Sequence, residues 1–183
     1  DQEFLLECIE AKAGMNREDV LFAARDGKVL LALVSGIKPS MLLRNGHYFF
    51  LKALAGVEGY AQFALGLFHH RQSDYETDHA LDIVDDIPAG MSGDHAAAFV
   101  AAMETEPLDV KICGTFIELL TRDKCWEVAL HVARIRVDAI PNTPRERARK
   151  LHAQQLRWRV EFEHLVSQGQ TEAALAIGES WHV

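Results

Sequence analysis

Apolar positions along this chain recur at helical spacing, and period-2 alternation of β-branched residues is nearly absent. Residues 2–13 read as a first helix with Phe4, Leu5, Cys8 and Ile9 on one face, stopped by Gly14. Asn16 is placed to cap the next helix, with Glu18 and Asp19 in its first turn opposing the positive end of the dipole. Gly27, Gly36, Gly46, Gly56, Gly90 and Gly114 then divide the chain into short apolar segments. Helices this short cannot bury their faces alone and must stack on one another. Past Pro141, Thr143 caps a long helix over residues 144–167, with Pro144 in the first-turn position that tolerates it. Ala148, Leu151, Trp158, Phe162 and Leu165 form its expected inward stripe. Gly169 ends that helix, and a last one over residues 171–181 carries Ala174, Leu175 and Ile177.

Three stretches share one layout of apolar half, turn, apolar half: VLFAARDGKVLLALVSG from Val20, FFLKALAGVEGYAQFALGLF from Phe49, and GTFIELLTRDKCWEVALHV from Gly114. Turns near Gly27, Gly56, Gly90 and Lys124 are separated by 29, 34 and 34 residues. In this the chain resembles the ankyrin repeat, a unit of about 33 residues made of two short antiparallel helices and an extended loop. Phe22 to Gly27 looks like that family's first helix and turn, and residues 114–117 like the opening of a later unit. The Thr-Pro-Leu-His signature is absent, and another α-solenoid or a non-repetitive helical bundle builds from the same pattern. The resemblance implies an all-α fold of short antiparallel helix pairs stacked as a solenoid, closed by the long C-terminal pair. In one continuous domain, residues 1–143 would be the helical-repeat region and 144–183 the helical cap.

Composition narrows the setting. With 183 residues, 49% apolar and 25% charged, the chain can bury a real core. Its longest apolar run, Val29 to Ile37, is too short to span a bilayer, so no membrane partner is expected. Asp1 in place of a start methionine reads as an internal segment of a longer chain. Cys8, Cys113 and Cys125 are odd in number, dispersed and without a Cys-x-x-Cys, which points to a reducing, cytoplasmic compartment and buried thiols. The net charge of −8 conceals a basic block over 122–159, where 10 Lys/Arg face 4 Asp/Glu. Arg145, Arg147, Arg149, Lys150, Arg157 and Arg159 lie in it; no groove reader or aromatic–basic motif accompanies them, so they read as a solvated helix face rather than a nucleic-acid surface.

One stretch invites chemistry. FHHRQSDYETDHALDIVDDI, residues 68–87, holds three histidines and six acids, and Asp74, Asp78, Asp82 and Asp86 recur every fourth position. On one helix face such neighbours repel by about 0.2–0.5 kcal/mol a pair, a penalty that a divalent cation reverses. A metal-dependent helical hydrolase using His69, His70, Asp74, His79 and Asp82 is therefore the rival reading. Against it, His-Glu-x-x-His and Asp-x-Asp-x-Asp-Gly spacings are absent, and residues 72–74 have turn or cap chemistry. Ser92, Asp94 and His95 lie together but lack a nucleophile elbow, and read as cap residues. No phosphate loop occurs, and no cofactor is expected.

The sequence thus points to a protein–protein interaction module without chemistry of its own. By resemblance to ankyrin repeats, contact with another protein would be made through inter-repeat loops and exposed first-helix faces. Those positions are Lys38, Arg44, His47 and Tyr48, then Arg71, Asp74, Tyr75 and Glu76, then Glu104, Glu106, Asp109 and Lys111. Tyr48 and Tyr75 are the expected anchors, since tyrosine gives large contact area at low entropic cost.

Overall fold

A computed structural model describes residues 2–14, 16–23, 25–44 and 51–180. Among them every regular element is a helix and none is a strand. The chain forms two compact units, residues 1–88 and 89–183.

The first unit contains α1 (Gln2–Ala13), α2 (Arg17–Ala23), α3 (Gly27–Ser35), α4 (Pro39–Arg44), α5 (Tyr60–His69) and α6 (Asp74–Asp85). Its boundaries follow local chemistry. Asn16 Oδ1 accepts from the Asp19 amide at 3.0 Å, opening α2, and Asp26 Oδ1 accepts from the Lys28 and Val29 amides, opening α3. Gly27 follows that cap because a Cβ there would come within 2.7 Å of Val57. α1 packs on α2 and α3, and α6 packs on α4 and α5. Leu30, Leu31, Val34, Leu42, Leu43, Leu65, Phe68, Ile83 and Val84 supply buried apolar surface. Buried Tyr60 donates its hydroxyl to the Ile83 carbonyl at 3.1 Å, joining α5 to the end of α6.

The second unit contains α7 (Ala96–Thr105), α8 (Val110–Arg122), α9 (Trp126–Ala139), α10 (Arg147–Ser167) and α11 (Thr171–Ser180). α9 is central: α7, α8 and α10 each pack against it, and α11 packs on α10. Phe99 and Phe116 stack at 4.6 Å between centroids, among buried Met103, Ile112, Leu120, Val132 and Ala133. Three residues turn α8 into α9, with Lys124 left-handed at φ 59°. Three expectations are corrected here. Gly114 does not open a helix but lies inside α8, which starts at Val110 because the Asp109 carboxylate caps it. In α10 the expected inward stripe holds only in part: Ala148 and Leu151 are exposed, Trp158, Phe162 and Leu165 are half-buried, and the fully buried positions are Ala153 and Val160. Leu175, expected on the apolar side of α11, is also exposed, and Ala174 is buried.

Candidate functional site

In the first unit, the acid- and histidine-rich stretch becomes the end of α5, a short connection and α6. Ser73 is extended at φ −149° and caps α6, its hydroxyl accepting from the Glu76 amide at 3.3 Å. The Glu76 carboxylate reaches back and accepts from the Gln72 amide at 2.7 Å, a reciprocal cap of the Ser-x-x-Glu kind. Glu76 is wholly buried, so it leaves the expected contact surface and serves as a structural cap. Arg71 also folds back: its guanidinium lies 3.6 Å above the Phe68 ring and donates to the Phe68 carbonyl at 2.6 Å.

Asp74 and Tyr75 remain outward. Tyr75 is 55% exposed, and its ring meets His79 edge-on at 4.2 Å. His79 Nδ1 faces the Leu43 carbonyl at the end of α4, so Nδ1 carries the proton and the imidazole is tied to the backbone. His69 and His70 are exposed at the end of α5, and Asp82 is exposed on α6. Asp86 ends α6 and pairs with Lys52 at 3.1 Å, so the fourth carboxylate leaves the helical face. Among the described residues no group of three or more His, Cys, Asp or Glu side chains is placed to hold a metal ion. The rival set His69, His70, Asp74, His79 and Asp82 is therefore not gathered into one site.

Lys38 is exposed just ahead of α4, beside an open cavity of about 350 Å³ lined by Glu7, Cys8, Ala11, Ile37 and Met41. Arg44 closes α4, and its side chain lies outside the described residues, as do His47 and Tyr48.

The second unit holds an arrangement that the contact residues alone did not reveal. Between α7 and α8 run Glu106, Pro107, Leu108 and Asp109. Asp109 Oδ1 accepts from the Lys111 amide at 2.8 Å and the Ile112 amide at 2.9 Å. Its backbone carbonyl accepts from Arg136 Nη1 at 2.8 Å, and the preceding carbonyl, of Leu108, accepts from Arg149 Nη2 at 2.8 Å. Two arginines from two helices thus hold consecutive carbonyls of one connection. Pro107 removes a further backbone freedom. With carbonyls and cap fixed, Leu108 and Val110 are left outward, 38% and 51% exposed. Glu104, Glu106 and Lys111 are exposed around them.

Arg136 is 1% exposed, and its Nε finds no acceptor among the described residues. Leaving that buried Nε without an acceptor costs core stability. Its position had a sequence signal. Ala129, Val132, Ala133 and Val137 trace the inward face of α9, and Arg136 falls on it, three and four residues beyond Ala133 and Val132.

All three thiols are shifted away from the thiolate. Burial pushes the Cys113 thiol up to about 11, against the pull of the Arg136 guanidinium beside it. Burial likewise raises Cys8 and Cys125, helped by Glu7 in one case and by Asp123 and Asp94 in the other. A raised thiol stays protonated and weakly reactive at neutral pH. Ser92, Asp94 and His95 do not converge on chemistry either. The Ser92 amide donates to Asp123 Oδ2 at 2.8 Å, and Arg122 Nε donates to Oδ1 at 3.0 Å. Burial of Asp123 opposes ionisation, but hydrogen bonds from Arg122, Ser92 and Gly90 outweigh it and hold its carboxyl well below the usual range. Asp123 therefore ties the 90–92 loop to the α8–α9 turn. No described helix is long and apolar enough to cross a membrane. Comparison with protein-family models, curated proteins and solved structures gives no match to this chain.

Proposed function

We propose that this chain is a protein-binding module of the ankyrin-like, stacked-helix kind, recognising another protein through connections between helices. The observation that carries the reading is the 106–110 connection, where Leu108 and Val110 face solvent on a backbone held by Arg136 and Arg149. Exposed aliphatic side chains cost solubility. A rigid backbone beneath them lowers the entropic cost of binding, which is what a docking surface needs. Glu104, Glu106 and Lys111 form the polar rim that surrounds an apolar centre in protein interfaces. In the first unit, Tyr75 with Asp74 and Lys38 offer a further contact surface, Tyr75 steadied by His79. The repeat-like reading is supported by the second unit, where α8 and α9 are joined by a three-residue turn and α10 and α11 form the next joined pair.

A photo-crosslinking side chain at Val110 tests this reading. A discrete protein adduct is expected there, competed away by unlabelled chain and absent when the probe sits on exposed Glu172 of α11. Adducts equally abundant at both positions would overturn it.

A further inference from the structure

We propose that the cavity between α5 and the α3–α4 connection binds a small, neutral nitrogen heterocycle of the adenine or cytosine kind. The cavity is open, measures about 420 Å³ and lies within the first unit, independent of the 106–110 connection. That volume is in the range of small-molecule sites. Gln62, Phe63, Gly66 and His70 line it along one face of α5. Ser35 at the end of α3 and Ile37 in the connection add to the lining.

Gly66 carries the inference. Inside a helix, glycine is less favourable than alanine because it loses more backbone freedom on folding. The backbone at Gly66 is not left-handed, so its conformation does not require glycine. A Cβ added there would meet no atom within 4 Å, so no neighbour in the chain requires it either. Gly59, which lines the same cavity, differs: its φ of 90° at the start of α5 calls for glycine. Bare backbone at Gly66 leaves a flat floor on which a planar ring lies, and half-buried Phe63, one turn earlier, gives that ring an aromatic wall.

Polar groups select the heterocycle. Gln62 is exposed, and its carboxamide has no hydrogen-bonding partner among the described residues. Its oxygen accepts and its nitrogen donates, which matches an amino group beside a ring nitrogen. Ser35 Oγ donates to the Leu31 carbonyl at 2.7 Å and keeps its lone pairs for a donor on the ligand. Among the described residues no Lys, Arg, Asp or Glu lines the cavity, so a charged ligand would lose hydration without a counter-charge.

Titration calorimetry of the full chain with adenine and with cytosine tests the proposal on wild type, Gly66→Ala and Gln62→Ala. Wild type is expected to bind at least one of the two with a Kd below about 1 mM. Gly66→Ala should raise the melting temperature, because alanine suits the helix, yet weaken binding by roughly tenfold or more, because its methyl lifts the ring from the backbone. Gln62→Ala removes an exposed side chain, so the fold should persist while binding weakens by a similar factor. A wild type that binds neither probe up to about 1 mM would overturn the proposal, as would binding indifferent to both substitutions. A Gly66→Ala protein that melts below wild type would also overturn it, since the glycine would then serve packing.

Discussion

Asp123 joins two loops of the second unit through its carboxylate. It gathers an amide, a guanidinium and the loop at Ser92 while being almost inaccessible itself. Replacing it by alanine strands those donors and should destabilise the protein by about 1–3 kcal/mol, read by denaturant unfolding. Its pH dependence has a definite sign. The folded carboxyl lies below its ordinary value of 3.8, so the stabilisation is complete well above that value and is lost as pH falls through the depressed one. Asp123→Asn should therefore flatten the acid side of the stability curve, and an unchanged acid limb would count against the network. Gly27→Ala is a second residue-scale test: the new methyl would meet Val57 at 2.7 Å, and a loss of about 1–3 kcal/mol is expected. Of these, only the role of Gly27 as a turn marker was legible in the sequence. Arg122 is the neighbour of Asp123, but a second partner, Ser92, lies 31 positions away, a separation at which no local pattern speaks.

Helices were legible where caps and glycines speak locally. The start of α6 was visible in residues 72–76, since Ser73 and Glu76 have capping-box spacing. Its consequence, that Glu76 is buried and unavailable to a partner, required the fold. Glu76→Ala should cost about 1 kcal/mol, and Glu76→Gln should recover much of it by keeping an acceptor for the Gln72 amide. α10 shows the opposite case. Its sequence carries two apolar lines. Ala148, Leu151, Trp158, Phe162 and Leu165 look stronger because their side chains are larger. The fully buried positions are Ala153 and Val160, while Trp158, Phe162, Leu165 and His164 are half-buried, the last stacked on Trp126 at 5.7 Å between centroids. Small Ala153 wins because α9 approaches there. Val160→Ala should thus destabilise by about 1–3 kcal/mol while Leu151→Ser stays within about 0.5 kcal/mol; the reverse order would place the wrong face inward.

At the scale of the whole molecule, all-helical character followed directly from periodicity, whereas the division into two units did not. Packing around α9 depends on contacts between distant segments, and glycine spacing reports only where helices turn. The proposed contact surface draws on residues that the sequence placed in one loop, although the Asp109 carboxylate is taken up in capping α8. Glu104, Glu106, Asp109 and Lys111 were placed by their loop, while Leu108 and Val110 between them drew no notice because apolar residues read as core. Their outward placement comes from Arg136 and Arg149, which grip the backbone from two helices. The account predicts that Leu108→Ser with Val110→Ser weakens binding to the protein captured at Val110 by tenfold or more, about 1.4 kcal/mol. Leu151→Ser with Leu175→Ser, also exposed but elsewhere on the same unit, should leave it unchanged. Titration calorimetry of both double variants at matched stability is the most direct measurement. Equal affinities across wild type and both variants would contradict the claim that the clamped connection is where this protein binds.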